Sequence, residues 1–296
     1  MHLTTVSMTI RRPAYAGQFY PASKAELEQE IRKSFTHKFG PGALPGKRTN
    51  HKVYGAIAPH AGYFFSGAGA AWVYKEIGET EFPEVYVILG VNHSGRETCS
   101  SDDDWETPLG TAKCDTEFVK ALEEKGIPID SNAHSREHSI EVQLPFLQFV
   151  SMDRITKLRI APIMIADEHF DKWGRAIQET AKQLKRRVTI ICSSDFTHYG
   201  ENYGYIPFEE NVKENMERLD HDAVNFITKP NPKSFIAYTD KTGATICGRC
   251  GISTLLWLMK YLFEDEKKGT LLKYYTSGDV LGDYQNAVGY AAIVFK

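Results

Sequence analysis

Residues 187–200, RVTIICSSDFTHYG, constrain the fold more than any other stretch. Positions 188–192 are almost continuously β-branched and apolar, with no polar alternation. A strand written this way has no face for water, so it belongs in a sheet covered on both sides. The chain then turns polar, with Ser193, Ser194, Asp195, Thr197 and His198 inside six residues. Two earlier segments repeat the layout. Residues 53–58 run apolar into Pro59-His60-Ala61-Gly62, and residues 84–90 run into Val91-Asn92-His93-Ser94-Gly95. Each time a Gly follows the His within two residues, where a missing side chain lets the backbone bend and a substrate approach.

Between these strands the pattern turns helical. Ser23 and Glu26 have capping-box spacing and open a helix predicted to reach about residue 39. A small-residue helix starts near Ser66, and its glycines predict close packing against backbone or ligand. Helices are also predicted at 116–125, 167–186, 209–228 and 252–263, with Asn231-Pro232 capping another. Pro145 should kink the helical stretch around 137–147 or displace its start. Residues 101–110, with Asp102, Asp103, Asp104 and Trp105, read as an exposed excursion with a solvated charge run. Strands are predicted at 157–165, 272–276 and 287–295, the last two as closing strands that can join antiparallel. Such alternation defines an α/β fold, three layers deep, with a largely parallel central sheet between helices.

Composition narrows the function. A net charge of −3 offers no electrostatic case for nucleic acid or an anionic membrane. No apolar run approaches the roughly 18 residues of a membrane span. The first residues have no apolar core of the signal-peptide kind, so a cytoplasmic protein is expected. Five scattered cysteines are not a disulfide framework, and the single Cys-x-x-Cys, Cys247 and Cys250, has no second pair to complete a four-cysteine zinc site.

In open α/β sheets, sites gather at the carboxyl ends of strands. His60, His93 and the Asp195/His198 pair all fall there. Cys247 precedes the 252–263 helix beside Arg249, and both features favour a thiolate. Glu137 and Glu141 share a face if 137–141 is helical, where either can orient a ligand histidine from behind, while His138 points elsewhere. Two imidazoles and a thiolate suit an open site for iron, copper or zinc, with His198 as acid/base and Asp195 beside it. A metal-free cysteine hydrolase, with Cys247 as nucleophile, His198 as base and Asp195 as orienter, uses the same residues. A non-catalytic scaffold that holds a peptide or partner, lined by Tyr63, Phe64, Phe196 and Tyr199, is the third alternative.

Six ordered motifs are recognisable: AGQFYP at 16–21, IAPHAGY at 57–63, LGVNH at 89–93, EHSIE at 137–141 with LP at 144–145, SSDFTH at 193–198 and TICGR at 245–249. With them the chain resembles the Memo family over nearly its whole length, as one domain spanning 1–296, of the prokaryotic AmmeMemoRadiSam type. The family is similar in fold to the class III extradiol dioxygenases, which hold non-haem iron with two His and a carboxylate. The resemblance implies a metal pocket of His60, His93 and Cys247, with His198 as acid/base and Asp195 adjacent. It implies copper or iron, a redox or dioxygenase-like reaction on a small molecule or dioxygen, and association with AMMECR-type and radical-SAM proteins. Cys247 stands where the dioxygenases use a carboxylate. A thiolate shifts preference toward copper or zinc, so catechol cleavage is not inherited with the fold.

Overall fold

A computed structural model describes residues 9–93, 95 and 97–296. Ser94 of the second strand-end motif, and residues 1–8, on which the absence of a leader was read, lie outside the described residues. The chain opens with β1 (Ile10–Arg11), α1 (Lys24–Thr36), β2 (Gly55–Ala58), α2 (Tyr63–Glu79) and β3 (Val85–Val91). Next come β4 (Cys99–Ser100), β5 (Asp104–Thr107), β6 (Gly110–Cys114), α3 (Thr116–Glu123), α4 (Ser131–His134), α5 (His138–Glu141) and α6 (Gln143–Val150). The second half runs β7 (Arg159–Ile165), α7 (Phe170–Gln183), β8 (Val188–Ser193), β9 (His198–Gly200), α8 (Val212–Thr228) and α9 (Pro232–Thr242). It closes with α10 (Arg249–Tyr261), β10 (Gly269–Thr276), α11 (Ser277–Leu281) and β11 (Asn286–Phe295).

One sheet carries these strands in the order β1-β5-β6-β7-β3-β8-β2-β11-β10. From β6 to β2 all neighbours are parallel, and β11 and β10 join antiparallel. Every residue of β8 is buried, as its unbroken apolar run requires. Alternate side chains feed two cores. Val85, Val87 and Leu89 pack with Phe118, Ile177 and Leu255 on one face. Tyr86 and Ile88 pack with Leu27, Tyr74 and Phe146 on the other.

Local details follow the residues. Ser23 caps α1, and its hydroxyl donates to Glu26 at 2.6 Å. The glycines of α2 serve helix packing: a side chain on Gly67 would meet Ser34 of α1, and one on Gly78 would meet Pro45. Pro145 has no N–H for the Glu141 carbonyl, and the helix is interrupted at Val142, between α5 and α6. The 101–110 segment is not an exposed excursion. It forms β5 and part of β6, with Trp105, Asp103 and Asp104 buried. Asp104 accepts from Lys113 at 2.6 Å and from the Cys114 N–H at 3.0 Å, which turns an apparent charge run into strand-pairing contacts.

The register aligns the strand ends. Ala58 of β2 lies beside Ser193 of β8, and Leu89 of β3 beside Cys192. Segments leaving β2, β3 and β8 therefore emerge at one rim. Gly90 sets how closely α5 approaches that rim. A Cβ there would come 2.5 Å from Ile140 Cγ1 and 2.9 Å from Ser139 Oγ. Gly90→Ala is expected to lower stability in urea denaturation by about 1–3 kcal/mol, the usual cost of overpacking. Combined with Ile140→Ala, it should cost less than the two single changes added together. Strict additivity would show that Gly90 does not set this contact.

Candidate metal centre

At this rim the backbone ends are tied together first. The N–H groups of His60 and Ala61 donate to Asp195 Oδ1 at 2.8 and 3.3 Å, joining the exits of β2 and β8. The exit of β3 is tied to α5. The His93 N–H donates to Glu137 Oε2 at 3.1 Å, and His93 Nδ1 lies 3.0 Å from Glu137 Oε1. Glu137 is extended (φ −92°, ψ 122°) and caps α5 by accepting the Ser139 N–H at 2.8 Å.

That cap corrects the helical expectation for 137–141. Glu137 lies outside the helix, so it shares no face with Glu141. Glu137 turns to His93, while Glu141 turns back to Arg11, 2.7 Å away. His138 becomes the first residue of α5 and joins the cluster instead of pointing elsewhere. Its ring stacks on His93 at 4.4 Å and stands edge-on to His60 at 5.4 Å. One ring nitrogen from each of His60, His93 and His138 lies within 4.8 Å of the others, so these three imidazoles can hold a metal ion.

Proton positions follow from partners that can only accept. A carboxylate faces His93 Nδ1, so that nitrogen carries a proton. His198 Nδ1 lies 2.9 Å from the Thr245 carbonyl, with the same consequence. Burial, then the neighbouring His138 and His93 charges, push the His60 pKa down. Burial and His93 likewise lower His138. Both rings are thereby held in the neutral form that binds metals. Burial pushes the Glu137 carboxyl up, but the His93 ring and the Ser139 N–H outweigh it and hold the pKa at about 2. Asp195 is raised, because burial exceeds the opposing effect of His198 and the two N–H donors.

Cys247 enters from the His60 side. Its sulfur lies 3.3 Å from His60 Nε2 and accepts the Asp195 N–H at 3.3 Å. Burial and then the Asp195 charge push this thiol up, against the depressed value expected from its sequence neighbours. Arg249 gives it little help, since the guanidinium is engaged by Glu168 at 2.7 Å and Asp240 at 2.5 Å. His198 stands beside Tyr203, at 5.1 Å between ring centroids. Tyr63, Phe196 and Tyr199 are buried, which leaves Phe64 as the exposed member of the expected aromatic groove.

Several residues that shape the centre went unremarked in the sequence. Arg11 donates to the carbonyls of His134 and Glu137 at 2.8 and 3.0 Å, and lies 4.1 Å over the Trp105 ring. Gln143 lies behind His60 and donates to Ser193 Oγ at 2.8 Å. Asp220 accepts from the Thr197 N–H at 3.2 Å and hydroxyl at 2.5 Å, holding the residue before His198. Asp220 did leave a signal: it occupies the buried stripe of α8 with Met216, Val224 and Ile227, where an apolar residue is expected.

An α/β sheet with imidazoles gathered at the carboxyl ends of its parallel strands, backed by a buried carboxylate, permits a metal site. The family model described as Memo-like protein matches residues 11–294, and the chain belongs to that family. A MEMO1 family protein of Methanopyrus kandleri is 40% identical, covering 97% of this chain and 99% of that protein. MEMO1 family proteins of Nitrosopumilus maritimus and Methanocaldococcus jannaschii are each 38% identical, with the same coverage. Among the described residues, no helix is long and apolar enough to cross a membrane.

Asp220 generates a pH prediction. Burial, exceeding the Thr197 and Tyr274 hydrogen bonds, raises its pKa to about 6. A carboxyl raised above its unfolded value contributes stability that is complete below about pH 4 and is lost as pH rises through about 6. A shift of this size corresponds to a few kcal/mol, on the order of 2–3. Asp220→Asn cannot ionise, so its urea-denaturation stability should fall less than wild type between pH 4 and 7. Parallel pH profiles would refute the assignment.

Proposed function

We propose that this protein binds one transition-metal ion, iron or copper with zinc also compatible, through Nε2 of His60 and His93. Cys247 and His138 are the further donors. In this reading the centre serves redox or dioxygenase-like chemistry on a small molecule, and its pathway partners are AMMECR-type and radical-SAM proteins, on family resemblance alone. The observation that carries the proposal is the convergence of three imidazole nitrogens within 4.8 Å at one strand-end rim.

The donor chemistry fits. Neutral imidazoles and a sulfur suit iron, copper and zinc, whereas magnesium and calcium want oxygen. Glu137 behind His93 is the carboxylate partner that metal-bound histidines commonly carry. Such an ion would supply a Lewis acid and, as iron or copper, a redox couple. His198, with its Nδ1 proton committed to Thr245, offers Nε2 as a base toward the rim. Asp195 keeps the His60 and Cys247 segments together through its carboxylate and its N–H. A metal-free cysteine hydrolase needs a ready thiolate, and the raised Cys247 pKa opposes that reading.

Metal analysis after anaerobic purification, with near-stoichiometric supply, tests the proposal. Wild type should carry metal, and His60→Ala and His93→Ala should lose most of it. Equal, negligible metal in wild type and in these variants and Cys247→Ser would sink the reading. Calorimetry in buffers of different ionisation enthalpy then identifies the donors. A protonated thiol that becomes a ligand releases about one proton per ion at neutral pH, and Cys247→Ser should release none. Proton release near zero in wild type would assign the site to the imidazoles without Cys247.

A further inference from the structure

We infer that Gln143 and Ser193 fix the tautomer of His60, so that Nδ1 always carries the proton and Nε2 always presents the lone pair. Its consequence for metal affinity rests on the proposed metal site, whereas the tautomer itself does not.

His60, Ser139, Gln143, Ser193 and Tyr74 are all buried. The Pro59 carbonyl can only accept, and it lies 3.0 Å from the Gln143 side chain, so the group facing it is the amide nitrogen. The Tyr74 hydroxyl donates to the other end, Gln143 Oε1, at 2.8 Å. The second Gln143 N–H is then committed to Ser193 Oγ, at 2.8 Å.

Ser193 has one proton to give. The Ser139 carbonyl, again acceptor-only, lies 2.7 Å from Ser193 Oγ and takes it. Ser193 Oγ is left with one lone pair, directed at His60 Nδ1, 2.9 Å away. That contact forms only if Nδ1 carries the hydrogen. In a neutral ring Nε2 is then unprotonated, and it faces Cys247 Sγ at 3.3 Å and Asp195 Oδ2 at 3.9 Å. The opposite tautomer would turn the Ser193 proton toward His60 and leave the buried Ser139 carbonyl without this donor, a cost of about 1–3 kcal/mol.

Gln143 and Ser193 are thus positioning residues, and they reach the site from elements far apart in sequence. Gln143 begins α6 and Ser193 ends β8. Together they make His60 a fixed electron-pair donor that cannot relay protons through Nδ1. His138 differs, because its Nδ1 is 3.8 Å from Glu137 Oε1, beyond a hydrogen bond.

Long-range proton–nitrogen NMR of histidine-labelled apo protein reads the tautomer directly, with His60→Ala assigning the signal. His60 should show a protonated Nδ1 and a pyridine-type Nε2. Ser193→Ala removes the acceptor at Nδ1 and should move the ring toward the Nε2-protonated form, with Asp195 Oδ2 3.9 Å from Nε2. Ser193→Thr keeps the hydroxyl and should restore the original signals. Unchanged His93 and His198 signals report that the variant is folded. Metal affinity should fall about 10–100-fold in Ser193→Ala, as for other losses of a ligand's supporting hydrogen bond. A protonated Nε2 in wild type, or a Ser193→Ala ring with wild-type signals, would overturn the inference. Wild type with the expected tautomer but no metal affinity would uphold it while removing the metal reading.

Discussion

The buried ion pair between Arg11 and Glu141 anchors the segment on which the rest of the centre depends. Both side chains are almost fully excluded from water, and their charges lie 2.7 Å apart. Charges taken out of water at this cost persist only with their remaining hydrogen-bonding capacity satisfied. Here several hydrogen bonds meet that need. Glu141 also accepts from the Ala14 and Tyr15 N–H groups and from the Tyr20 hydroxyl. Arg11 reaches the carbonyls on both sides of the 134–137 turn. Removing one partner of such a pair typically costs about 3–5 kcal/mol, so the turn is held far more firmly than a surface loop. Glu137 and His138 ride on that turn. The placement of His93 against Glu137, and of His138 against His93, is therefore inherited from a contact at the far end of the segment.

The two remaining strand exits are held by a different device. Asp195 receives backbone N–H groups from the β2 exit and gives its own N–H to Cys247. A carboxylate used this way aligns main chain, which leaves little freedom for the attached side chains. The parallel register brings the exits close, and these two carboxylate knots then fix their orientation. Fold and centre are thus coupled at few points, each buried and each charged or polar.

This division explains what the sequence could and could not disclose. His60, His93, Asp195 and His198 were legible because unbroken apolar runs mark buried strands, and the chemistry of an α/β sheet sits just beyond them. Cys247 was legible from its glycine turn ahead of a helix. The position of His138 was not, because it hinges on one residue: Glu137 is extended and not helical, and a spacing rule for helices then assigns the wrong face. Asp102–Asp104 misled for a similar reason, since composition suggested solvent where strand pairing buries Asp103 and Asp104. Arg11 and Gln143 act on residues 126 and 50 positions away, and no local pattern encodes such a partner. Asp220 was the exception, a charged residue on an apolar stripe that could have been noticed.

Charge balance ties the centre together. Glu137 is fully buried, yet its pKa of about 2 keeps it ionised throughout the physiological range. A buried anion needs positive charge or hydrogen-bond donors nearby. Donors come from His93 and Ser139, but the flanking histidines His60 and His138 are pushed toward neutrality by burial. Hydrogen bonds from His93 and Ser139 thus hold the charge on Glu137, while one ring nitrogen from each of His60, His93 and His138 converges on a shared point. A cation bound at that point would complete the arrangement, because it would meet neutral donors in front and a fixed negative charge behind them. Three ring nitrogens with a carboxylate behind His93 permit a metal ion in that space.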